Sequence, residues 1–81
     1  MSRARNVVEV IARTLADRPD EVRVTEREGK GQQVVELSMA PGDLGRVIGR
    51  QGRTAAAIRT VVSLAAELDG VKATVDFRDD D

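Results

Sequence analysis

Four arginines, Arg46, Arg50, Arg53 and Arg59, gather around a glycine-bounded loop, Gly49-Arg50-Gln51-Gly52. Two glycines let a backbone approach a ligand closely, because no Cβ intrudes. Arginine adds a planar fork of donors that matches a phosphate. A helix opening just after Gly52 would leave its first amides unpaired at the positive end of its dipole, and an anion can rest there. The chemistry on offer is the holding of a phosphate. Spacing alone is weakly specific, since a second pair stands at Gly42-Asp43-Leu44-Gly45. That pair follows Pro41 and contains Asp43, whose carboxylate repels an anion. The pair at Gly49 and Gly52 follows the apolar Val47-Ile48 and encloses Arg50 and Gln51.

Composition argues against catalysis. The chain has no histidine, cysteine, tyrosine or tryptophan. The commonest general base, the commonest metal ligand and the thiolate nucleophile are all missing. Glu26, Glu28 and Glu36 fall on alternating, strand-like stretches and read as solvated faces. A P-loop needs Gly-x-x-x-x-Gly-Lys-Ser/Thr, and here Gly49 and Gly52 are too close together and arginine, not lysine, follows Gly52. No enzyme activity, cofactor, metal or small-molecule substrate is expected. The lack of cysteine suits a reducing cytoplasm. No apolar run approaches the roughly 20 residues of a membrane span, so no membrane association is expected.

The net charge of −1 hides a separation. Leu44 to Ala66 carries four arginines and no acid, while the remaining nine basic residues face fourteen acids. The loop region is thus +4 and the rest −5. Screening confines each field to about 8–10 Å at physiological salt, so the local patch acts despite the global sign.

The elements that must position this loop follow from periodicity. Ala4, Val7, Val8, Ile11 and Leu15 make a helical stripe, with Ser2 as its N-cap and Pro19 forbidding extension much past Asp17. Val22 to Glu28 and Gln33 to Met39 alternate as strands around the turn residues Glu28 to Gly31, a hairpin. Pro41 and Asp43 suit the first turn of a short helix ending at Val47 or Ile48. A long helix follows the loop and stops at Asp69-Gly70. Val71, Ala73, Val75 and Phe77 then alternate as a last strand, and Asp79-Asp80-Asp81 reads as a disordered acidic tail. The chain is one small domain, residues 1–78. The order α-β-β-α-α-β predicts an α+β fold with a three-stranded mixed sheet and helices on one face. Two helices separate the second and third strands, enough chain for a parallel crossover.

The run Val-Ile-Gly-Arg-Gln-Gly-Arg, with Ile58 six residues after the second glycine, resembles the signature of the KH domain. Over nearly its whole length the chain is similar to the small bacterial single-KH RNA-binding proteins, the KhpA family. The element order resembles the type II KH arrangement. The resemblance implies that Gly49, Arg50, Gln51 and Gly52 hold the backbone of about four nucleotides of single-stranded RNA. Arg46 and Arg53 would add phosphate contacts. Bases would lie in an apolar groove near Val47, Ile48 and Val35, with Glu28 to Gln32 as the variable loop. Phe77, the one aromatic residue, belongs to a core-facing alternation, which excludes stacking platforms. A post-transcriptional regulator or RNA chaperone is the role such a protein would play.

Two other readings stay open. Nothing in the sequence reads a 2′-hydroxyl, so single-stranded DNA is an alternative ligand. The long helix also carries an apolar arc of about 180°, where a surface helix needs little more than 100°. The excess consists of Ala57, Val61, Leu64 and Leu68. It marks either a broad contact with the sheet and first helix or a dimer interface. The resemblance points to a homodimer, or a heterodimer with another KH-containing RNA-binding protein. A docking module with weak nucleic-acid affinity is the corresponding alternative function.

Overall fold

A computed structural model describes residues 2–79. The elements are α1 (Arg3–Leu15), β1 (Arg23–Gly29), β2 (Gln32–Met39), α2 (Leu44–Ile48), α3 (Arg53–Leu68) and β3 (Lys72–Asp79). The sheet order is β1-β2-β3, with β1 antiparallel and β3 parallel to the central β2. The helices cover one face. This is the α+β architecture expected, and it is consistent with a type II KH fold.

Ser2 caps α1, its hydroxyl accepting from the Arg5 amide at 3.0 Å. The hairpin turns on Lys30 and Gly31, with φ of 54° and 77°. Two positive φ values match the right-handed twist of the strands they join. Their register pairs Gly29 with Gln32 and Arg23 with Ser38. Period-two alternation then places Val35, Leu37 and Met39 against the helices, where all three are buried. Val8, Val47, Ile58, Val62, Ala66 and Val75 complete the core. On the open sheet face Glu36 accepts from Arg78 at 2.9 Å and pairs with Arg27 at 3.7 Å. Glu36 is thus held in cross-strand ion pairs, on the solvated face expected of it.

Two boundaries and one buried face differ from expectation. The first turn of α2 does not contain Pro41, because Gly42 takes a φ of 89° that no α-helix tolerates. The helix starts at Leu44 instead. Asp43 makes no cap bond; its Oδ2 accepts from the Arg18 amide at 3.0 Å, tying the turn to the end of α1. In α1, burial runs through the small residues Ala4 and Ala12 with Val8, and Leu15 is left exposed. Finally, Asp79 is the last residue of β3, paired with Met39, because parallel pairing continues as far as β2 does. The rest of the expected tail, Asp80 and Asp81, lies outside the described residues.

Candidate nucleic-acid interface

The loop is built by glycine geometry at two unlike positions. The Gly49 amide donates to the Gly45 carbonyl at 2.9 Å and ends α2. Gly49 then adopts φ 75° and ψ 173°, a region essentially confined to glycine. A Cβ there would stand 2.8 Å from the Thr54 Cβ, so the close packing of the loop on α3 also requires its absence. Gly52 has φ 71° and ψ 16°, with open space around it. Between them the Gly52 amide donates to the Gly49 carbonyl at 3.2 Å. That bond leaves the central amides of Arg50 and Gln51 outside it. Gln51 is itself left-handed, at φ 58°.

Gly52 is the N-cap of α3 and brings no side chain to the helix's first amides, of which that of Arg53 donates to the Arg50 carbonyl. The first turn of the 16-residue helix also contains no acid. A helix start without a side-chain cap and an uncompensated dipole therefore meet at the loop, a setting that favours an anion. Arg50 and Gln51 are exposed at the tip. Arg53 donates to the Gln51 Oε1 at 3.1 Å and sits beside it.

Arg46 and Arg59 do not extend this patch as the sequence suggests. Arg46 lies 3.6 Å from both Asp17 and Asp43. The segment is free of acids in sequence but not in space. Arg59 turns to β3, its guanidinium carbon 4.9 Å from the centre of the Phe77 ring. Phe77 is half-buried with this cation over one face, so its alternation is core-facing but its ring is not sealed.

The apolar groove also moves. Val35 and Val47 are both 0% exposed, because β2 is the central strand and α2 packs against α3, α1 and β3. Both belong to the core, while Ile48 stays half-exposed. The edge strands are β1 and β3, and β3 is the one that packs against α3. An open cleft runs between it and α3, lined by Arg59, Val62, Ser63, Ala73, Thr74 and Val75. Ala73, Thr74 and Val75 are therefore cleft walls that sequence reasoning misses. Their signal is the parallel crossover itself, which places the last strand outside the hairpin.

Ala57, Val61, Leu64 and Leu68 are all exposed, the last three by 42%, 58% and 74%. A broad contact with the sheet and α1 is thus ruled out as the reason for the excess arc. The buried face of α3 uses Ala55, Ile58, Val62, Ala65 and Ala66 alone. Among the described residues no helix is long and apolar enough to cross a membrane, and no acidic group of three could hold a metal.

The RNA-binding protein KhpA of Clostridium perfringens is 46% identical over 73 residues, spanning 90% of this chain and 97% of that protein. The RNA-binding protein KhpA of Aquifex aeolicus is 42% identical over 77 residues, spanning 95% and 98%. A crystal structure of a variant of Aquifex aeolicus Era, bound to GDP and an aluminium fluoride, superposes with a TM-score of 0.64. It covers 94% of this chain and 29% of Era at 20% identity, a likeness of fold alone. The family model described as KhpA/KhpB, KH domain, matches residues 5–77, and the chain belongs to that family.

Proposed function

We propose that this protein binds single-stranded RNA, holding about four nucleotides with the Gly49 to Gly52 loop and the cleft beside it. The observation that carries the reading is the uncapped start of α3 beneath a loop with Arg50 exposed at its tip. Phosphates meet the loop, Arg50 and Arg53, while bases lie toward Ile48 and the α3–β3 cleft. Relatives 46% and 42% identical to it are named RNA-binding proteins, which supports RNA over DNA as the ligand. The role is that of a cytoplasmic regulator or chaperone of RNA, without catalysis.

Replacing Arg50 and Gln51 together by aspartate tests the loop. Both side chains are exposed and the glycines are kept, so stability should change by only about 0.5 kcal/mol or less per substitution. Phosphate contact loses an attraction and gains a repulsion. Affinity for short single-stranded RNA should fall about tenfold or more, which corresponds to about 1.4 kcal/mol. Equal binding by the wild type and the double variant would reduce the loop to a turn.

A second reading is favoured by the exposed stripe on α3. A second copy of the chain, or another KH-containing protein, covers Ala57, Val61, Leu64 and Leu68. If docking were the main function, complex formation would survive high salt, whereas RNA binding should weaken steeply.

A further inference from the structure

We propose that Arg59, steadied by Phe77, reads base identity in the cleft and favours cytosine and guanine over adenine and uracil. This rests on the RNA reading above and adds a specificity to it.

Arg59 lines the α3–β3 cleft together with Val62, Ser63, Ala73, Thr74 and Val75. Those walls are mostly apolar, suited to a planar base and not to a hydrated phosphate. The guanidinium sits over the Phe77 ring with 4.9 Å between its carbon and the ring centre. The ring's quadrupole attracts a cation to that face. Phe77 is in turn fixed by its strand, where it pairs with Leu37 of β2. Stacking uses the flat face of the guanidinium and none of its N–H donors, which all lie in its plane. The other arginines near the loop are engaged differently. Arg46 faces Asp17 and Asp43, and Arg53 faces Gln51. Arg59 has no ion pair among the described residues. It presents an oriented, unspent fork to the place where bases would lie.

A fork of parallel N–H groups needs two adjacent acceptors. Guanine supplies them as O6 and N7. Cytosine supplies them as O2 and N3, on the edge that single strands leave open. Adenine and uracil place a donor beside each acceptor on the corresponding edges, so one arm of the fork meets an N–H. The discrimination follows from acceptor pattern alone.

The test measures binding of octamers of cytidine, adenosine and uridine, and of a uridine octamer with two central guanosines, by fluorescence anisotropy. The wild type should bind the cytidine and guanosine strands at least about fivefold more tightly, the lower end for one bidentate base contact. Arg59→Lys keeps the charge and loses the fork. It should bring the four strands within about twofold of one another, with adenosine and uridine affinities nearly unchanged. Phe77→Leu, checked for folding by circular dichroism, should shrink the preference without changing the salt dependence. An undiminished preference in Arg59→Lys overturns the proposal. So does an equal loss on all four strands in Arg59→Ala, with a shallower salt slope, because that marks a phosphate contact. Absence of binding by the wild type would instead remove the RNA reading itself.

Discussion

Gly49 and Gly52 look interchangeable in the sequence, yet they do different work. Gly49 combines a glycine-only conformation with direct packing against Thr54, whereas Gly52 needs only a left-handed backbone. Asparagine tolerates the second condition and not the first. Gly49→Asn should therefore destabilise by about 2–5 kcal/mol, from backbone strain and a clash together. In a domain of this size that lowers the melting temperature by about 10 °C or more. Gly52→Asn should lower it by less than about 5 °C. Thermal melts of the two variants decide it, and equal shifts would mean that the Thr54 contact carries no weight. The spacing of the glycines and the arginines around them is enough to locate this loop in the sequence. The Thr54 contact is not legible there, because it depends on how tightly α3 turns back over the loop. The pairing of Arg46 with Asp17 is hidden for the same reason: the two meet only once the end of α1 packs beside the turn before α2.

At the level of elements, the two long helices are joined end to end by one acid. Asp69 follows α3, where a carboxylate opposes the helix's own dipole. It is placed instead against the start of α1, accepting the Arg3 amide at 2.9 Å and the Arg3 guanidinium at 2.5 Å. Those two bonds hold its carboxyl below the usual aspartate range, the backbone bond being the larger cause. Glu9 is lowered likewise by Arg5 and then Arg13 along α1. A lowered folded-state value means that the unfolded chain takes up protons first as the solution is acidified. The stabilisation is complete above the ordinary carboxylate range, near pH 4, and is lost as pH falls through the folded value. The gap between urea midpoints at pH 7 and pH 3 should accordingly be smaller in Asp69→Asn than in the wild type. An unchanged gap would show that the contact is formed equally in the unfolded chain. Ser2 as a cap and Asp69-Gly70 as a stop are both readable from residue type. Their meeting is not, since it requires α1 and α3 to run antiparallel across the sheet. Pro41 misleads for a local reason, the positive φ of Gly42 next to it.

For the whole molecule, the element order and the crossover rule suffice to derive the mixed sheet and the helix layer. The position of β3 at the sheet's edge, and hence the cleft between it and α3, needs the strand order in addition. That layout bears on the exposed stripe of α3. At 100° per residue, Ala57, Val61, Leu64 and Leu68 lie within about 60° of one another, and the cleft residues Arg59, Val62 and Ser63 lie roughly opposite. A two-fold pairing of α3 helices would bury the stripe and leave both clefts open. The spacing i, i+4, i+7, i+11 is self-complementary in such a pairing. Leu64 is central and 58% exposed. Leu64→Glu would place two like charges across the axis while disturbing little in the single chain, about 0.5 kcal/mol or less for an exposed position. The wild type should sediment as a dimer at tens of micromolar, with a melting temperature that rises with concentration. The variant should be a monomer with a concentration-independent melt. It should bind one short RNA strand as the wild type does. It should lose affinity on longer strands that two linked clefts can grip together, since the second contact is then no longer intramolecular. A monomeric wild type at those concentrations would leave the stripe without a second copy to cover it. A variant that loses short-strand binding would mean instead that α3 transmits the damage to the cleft.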